Sequence, residues 1–249
     1  MNPTVARLTA RTLLGRKRTL LLTLLPLALL ALCTLARVLA GFEPDLEAEL
    51  GTVLAANLLG GFALAVMMPL LGLIAGTGAI GPEIDEGSIV YLLAKPLNRY
   101  SIVVTKLAVA VGVIAAFGVL PTLAAGAVLG ASGTVVLAFG LGVTAAGATY
   151  AALFLALAVL TRNAVVVGLI YALIWETLVG GLVPGAQALS VQQWSLAVVE
   201  RVLGDSAPAL GVSSAVDLST AVVLLLVVAV GATAYAGRRL QTLRLGGET

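Results

Sequence analysis

An all-α integral membrane protein with six transmembrane helices is predicted by three features of this sequence. Only 10% of its 249 residues are charged and 60% are hydrophobic, whereas soluble domains carry roughly 25% charged residues. Mean hydropathy is +1.12. Apolar windows of about 20 residues recur along the chain, the length a helix needs to cross the hydrocarbon core. Inside lipid every backbone N–H and C=O must be satisfied within the protein, which leaves helices or closed barrels. The alternating segments of about ten residues that mark a barrel are missing. The whole chain, 1–249, reads as a single transmembrane domain with no soluble domain.

Residues 1–18 are polar and basic. Arg7, Arg11 and Arg18 fall in a narrow arc of a helical wheel, with Val5, Leu8 and Leu13 on the other side, the pattern of an interfacial helix lying along the headgroups. A cleaved signal peptide is the rival, but the basic region is too long and no clear small-residue cleavage site follows. The first span is about Thr19–Leu39, with Pro26 inside it, and the acidic loop Gly41–Gly51 follows. The second runs from about Thr52 to Ile80, with Pro69 and then Gly72, Gly76 and Gly78, which read either as points of compliance or as packing notches. The third is about Ser101–Leu120 or a little beyond. A turn at Gly130–Gly133 leads to the fourth, about Val135–Leu160. Thr161-Arg162-Asn163 turns into the fifth, about Ala164–Val183. Residues 184–217 are the longest polar-leaning region and are expected as an extracytoplasmic loop. The sixth span is about Leu218–Ala236.

Six spans put both termini on one side. With that side cytoplasmic, all the Lys and Arg residues except Arg37 and Arg201 fall on it or near it, as the positive-inside rule requires. The expected location is therefore the plasma membrane, with multiple passes and both termini cytoplasmic.

The missing chemistry narrows the function. There is no histidine, so the commonest metal ligand and catalytic base are gone; no metal site and no catalytic residue is assigned. No Gly-Lys pair exists, and with it no phosphate-cradling P-loop. The lone Cys33 lies in an apolar run and has no intrachain disulfide partner. An enzyme is not expected, and no nucleic-acid partner is indicated. Glu176 is the one acidic residue deep in a predicted span, where a charge costs at least roughly 2.5 kcal/mol. It reads either as a proton or substrate site, or as a structural carboxyl satisfied by a neighbouring helix, by Gln192 or by Arg201.

The stretch 81–100 is a polar interruption that also carries a helix pattern. Glu83, Asp85 and Glu86 sit where a short helix would begin, matched to the positive end of its dipole; Pro82 suits its first turn and Pro96 ends it near Ala94 or Lys95. Asn98 is placed to cap the next helix. Lys95 and Arg99 suit either lipid phosphates or a partner protein. The run Glu83-x-x-Glu86-Gly87-Ser88-Ile89-Val90-Tyr91-Leu92-Leu93-Ala94-Lys95-Pro96-Leu97-Asn98-Arg99-Tyr100, with Thr105-Lys106 beyond it, resembles the cytoplasmic loop of type-2 ABC transporter permeases. The branch it resembles is the small six-span one that includes the nitrous-oxide reductase maturation permease. The basic N-terminal helix and the Tyr171-x-x-x-Trp175-Glu176 run fit the same branch.

That resemblance implies that Glu83–Ala94 is a coupling helix docking into a separate ATP-binding cassette subunit, through Glu83, Ile84, Glu86, Gly87, Val90, Tyr91, Leu92 and Arg99. It implies two permease copies, export as the direction of transport, and ATP and Mg held by the partner rather than by this chain. Two alternatives stand beside it: a proton-coupled secondary transporter using Glu176, and a non-transporting membrane anchor for a cytoplasmic partner.

Overall fold

The structure, a computed structural model, describes residues 3–40, 47–88, 98–179 and 185–242. Every regular element among them is a helix. The N-terminal helix α1 (Pro3–Leu13) breaks at Leu14-Gly15, and α2 (Arg16–Ala40) begins the first crossing. α3 (Glu47–Leu58) and α4 (Met68–Asp85) are joined through a π segment, Leu59–Met67, into one long second crossing. The third joins α5 (Arg99–Ile114) and α6 (Leu120–Val128) through a π segment, Ala115–Val119. α7 (Gly133–Leu160) is the fourth. α8 (Ala164–Ile170) continues into a third π segment, Tyr171–Val179. α9 (Val191–Leu203) and α10 (Leu218–Thr242) complete the chain.

Five of these stretches are long and apolar enough to cross a membrane: Arg18–Ala40, Gly51–Asp85, Arg99–Val128, Gly133–Leu160 and Leu218–Gln241. The predicted fifth span, Ala164–Val183, is a shorter apolar helix, Ala164–Glu176 by the same measure, and its last residues lie outside the described ones. α7 is the hub. Its most apolar window is 67% buried, the highest of the five, because α4, α9 and α10 all pack on it. Small residues let them close in: a side chain on Gly76 would place its Cβ 2.8 Å from the Ala151 carbonyl oxygen. Gly72 likewise faces Tyr150, and Gly142 faces Val199. Of the two readings of Gly72 and Gly76, the packing notch is the one the structure supports.

Compliance sits elsewhere. Two of the π segments end one residue short of a proline, Met68 standing before Pro69 and Leu120 before Pro121. A proline has no N–H to close the i→i−4 ladder, and the residue ahead of it reaches back five instead: Met68 N–H to Ala63 O and Leu120 N–H to Ala115 O. The two widened turns adjoin, since Gly118 faces Met68 and Leu71.

Three sequence expectations are corrected. The N-terminal helix ends at Leu13, so Arg18 belongs to the first crossing, not to an interfacial helix. Its buried face is Val5, Thr9 and Leu13, while Leu8 is exposed; α1 packs against α4 and α5 rather than lying free. The loop expected over 184–217 holds α9, packed on α7 and α10. Ser190 caps α9 by accepting from Gln193 N, and the apolar residues Val191, Trp194, Val199 and Leu203 are buried. The third concerns the start of the coupling segment and is taken up with the site.

Candidate functional site

Lys106 lies among Val103, Val104 and Leu107, in a run that should cross the bilayer. An ammonium in such a place is tolerated only with partners of good geometry. It has three. The side chain is fully buried, and its Nζ donates to Glu83 Oε1 at 2.6 Å, to Ala79 O at 2.7 Å and to Thr9 Oγ1 at 3.4 Å. Three donors meet three acceptors. Ala79 and Glu83 are four residues apart, one above the other on the same face of α4, which is why one ammonium reaches both. The result ties α1, the end of the second crossing and the start of the third at a single atom. Glu83–Lys106 is the one salt bridge among the described residues.

The coupling segment begins differently from the sequence expectation. α4 runs unbroken through Pro82 to Asp85, so Glu83 and Asp85 lie in the last turn of a long helix, not the first turn of a new one. Pro82 is accommodated inside it. The stop comes at Gly87, at φ +69°, where Glu86 N–H bonds to Pro82 O and Gly87 N–H to Ile84 O. Glu83, expected among the residues that dock on the partner, is turned inward on Lys106. Ile84 is half-buried against the core. Glu86 and Gly87 are exposed, and Ser88 Oγ donates to Glu83 O at 3.5 Å. Val90, Tyr91 and Leu92, with the second half of the expected Glu83–Ala94 helix, lie outside the described residues. Asn98 caps α5 as expected, its side chain accepting from Tyr100 N.

Two more contacts close this end of the bundle. Arg18 Nη1 donates to Gly78 O at 3.0 Å, from the first crossing to the second. Arg99 Nη1 donates to Leu240 O at 3.3 Å, so it meets the carboxyl end of α10, where a cation is favoured by the helix dipole. Tyr100 packs on Gly237 beside it. The N-terminal helix, the junction after α4, the start of α5 and the end of α10 therefore share one end of the molecule.

Glu176 sits apart from them. Its fully buried carboxylate accepts from Tyr171 Oη at 2.9 Å, from Val191 N at 3.2 Å, from Gln192 N at 3.4 Å and from the Ser190 hydroxyl. Two of these are free backbone donors at the amino end of α9, where negative charge is stabilised. The carboxyl thus fastens the third π segment to α9. Its partner on Gln192 is the backbone N–H, and Arg201, in the last turn of α9, is exposed. Of the two readings of Glu176, this geometry supports the structural one. Nearby on the same side of the bundle, Asp217 caps α10, and the hydroxyls of Ser219 and Thr220 hold its carboxyl down at about 2.

Sequence reasoning counted Lys106 among the cationic residues near one membrane face and in the run that carries the resemblance, but gave it no partner and missed Thr9. The available signal was a lysine inside an apolar run, 23 positions after a glutamate that ends the preceding apolar run.

A helical bundle with several membrane-crossing helices, joined to one another by buried polar residues, is of the multi-pass membrane class. The chain belongs to the family described as ABC-2 family transporter protein, whose model matches residues 4–236. It is thus a multi-pass permease component of an ABC transporter and not itself an enzyme, ATP hydrolysis lying in a separate subunit. No curated protein matches the chain.

Proposed function

We propose that the chain is the membrane half of an ATP-driven exporter, in which two copies pair and each engages a separate ATP-binding subunit holding ATP and Mg. By the motif at 83–100 we place it in the small six-span branch that includes the nitrous-oxide reductase maturation permease. Ala164–Val183 is then the fifth span, and both termini are cytoplasmic in the plasma membrane. The observation that carries this reading is the Lys106 junction. A push delivered at 83–94 reaches the second crossing directly, the third through Lys106, and α1 through Thr9. The proline-bounded π segments are where those two crossings bend. Closure of the ATPases then shifts the population between inward and outward states. Ile84, Val90, Tyr91 and Leu92 supply apolar anchors, Glu86 and Gly87 the exposed turn, and Arg99 holds α10 to the junction.

The test is co-purification. A tagged chain drawn from its native membrane should bring an ATPase subunit in stoichiometric amount, and the isolated chain should bind no nucleotide. Tyr91→Ala should reduce that capture while membrane insertion stays normal. In a Cys33→Ala background, Ser88→Cys should react with an impermeant maleimide only after lysis. Micromolar nucleotide binding by the chain alone, or labelling of Ser88→Cys from outside, would sink the reading.

A further inference from the structure

We propose that Arg18 and Arg162 form a binding site for the phosphate of an anionic membrane lipid. Both line one pocket of about 50 Å³, together with Thr77, Asp85, Thr161 and Val165, where about 10–15 Å³ by the same measure suffices for one water. Three crossings deliver the charges. Arg18 is the first residue of the first membrane helix and Asp85 the last of the second. Arg162 is in the turn between α7 and α8. The pocket therefore lies where apolar helices end, at the depth of lipid headgroups, where basic pockets between helices take anionic ones.

Arg18 is held in place. Gly78 leaves room for it, since a Cβ there would stand 2.8 Å from Nη1, and the bond to Gly78 O uses only one of five guanidinium N–H donors. Neither arginine forms a salt bridge with Asp85, the only such pair among the described residues being elsewhere. Two cations and one anion thus face a common space with net positive charge and spare donors, an arrangement that suits bidentate recognition of a phosphate. Below the pocket, Val165 and Leu169 stand exposed at a spacing of four residues along the helix, so they form a track for an acyl chain. That track selects a lipid over a free phosphate.

The experiment uses the full chain in detergent, with bound phosphatidylglycerol and phosphatidylcholine counted by native mass spectrometry. Wild type should retain the anionic lipid preferentially. Arg162→Gln, at an exposed position, should lower that preference by about fivefold, as expected for one surface cation; Arg18→Gln should do the same. Asp85→Asn should raise it, a gain that misfolding does not produce. Arg238→Gln, an exposed arginine of α10 outside the pocket, should leave it unchanged. The site is overturned if Arg162→Gln and Asp85→Asn both leave the preference at the wild-type level, or if Arg238→Gln lowers it as much as Arg162→Gln. Displacement of the lipid by millimolar inorganic phosphate would equally overturn it, because the acyl chain would then contribute nothing.

Discussion

Lys106 and Glu83 meet at 2.6 Å with the lysine fully buried and the glutamate side chain 22% exposed. Removing one partner of a buried pair costs about 3–5 kcal/mol, because the other charge is left uncompensated. Glu83→Gln leaves a fully buried ammonium without its counter-charge, and Lys106→Met leaves a carboxylate whose Oε2 is already buried with no hydrogen-bond partner. Each should therefore lower the thermal unfolding temperature in detergent. The double variant should fall short of the sum of the two. Full additivity would mean the pair is not coupled.

Glu176 gives a second test. A glutamine keeps its size but turns one acceptor into an NH2 group, which faces a backbone N–H of α9 whichever oxygen it replaces. An unsatisfied buried donor costs about 1–3 kcal/mol. Glu176→Gln should loosen α9, read as faster maleimide labelling of Ala197→Cys, a buried position on that helix. Unchanged labelling, combined with loss of transport, would return Glu176 to the proton-carrying role.

Glycines separate packing from freedom. Gly76→Ala would set a Cβ 2.8 Å from a backbone oxygen and 2.9 Å from Phe154 Cβ. Overpacking of this kind typically costs about 1–3 kcal/mol. Gly112, in α5, has nothing within 4 Å of the same construction, so Gly112→Ala should be neutral or stabilise by up to about 1 kcal/mol. The measurement is the unfolding temperature of each variant; a Gly76→Ala protein as stable as wild type would remove the notch.

How much of this was legible depended on whether the signal was local. The ends of the fourth span could be read from the turns that bound it, at Gly130–Gly133 and Thr161-Arg162-Asn163, and the Asn98 cap from a side chain next to its own helix. α9 was missed although Ser190-x-x-Gln193 has the capping pattern, because Gln192, Gln193, Glu200 and Arg201 lower the mean hydropathy while only one face of the helix is buried. The inward turn of Glu83 was hidden for a different reason. A proline and three acids mark a helix start only if no helix is already running, and α4 runs through them. The partners of Glu176 and Lys106 are distant in sequence or are backbone groups, which no spacing rule records.

The last prediction concerns the paired π segments. Pro69 and Pro121 deny their crossings one ladder bond each, and the chain answers with Met68→Ala63 and Leu120→Ala115 bonds. Restoring the N–H with Pro69→Ala and Pro121→Ala lets both segments relax to ordinary α-helix, which removes a local weakness. Amide hydrogen exchange at 63–68 and 115–120 should slow, since opening there no longer starts from a widened turn. The doubly substituted chain should unfold at a higher temperature and, paired with its ATPase, should transport more slowly, because stiffer crossings bend less readily when the junction is pushed. Exchange measured on the chain alone tests the hinge without reference to any partner. If protection at those residues stays at the wild-type level in the double variant, the prolines do not set the compliance of these crossings, and the bending must be sought in the third π segment, Tyr171–Val179.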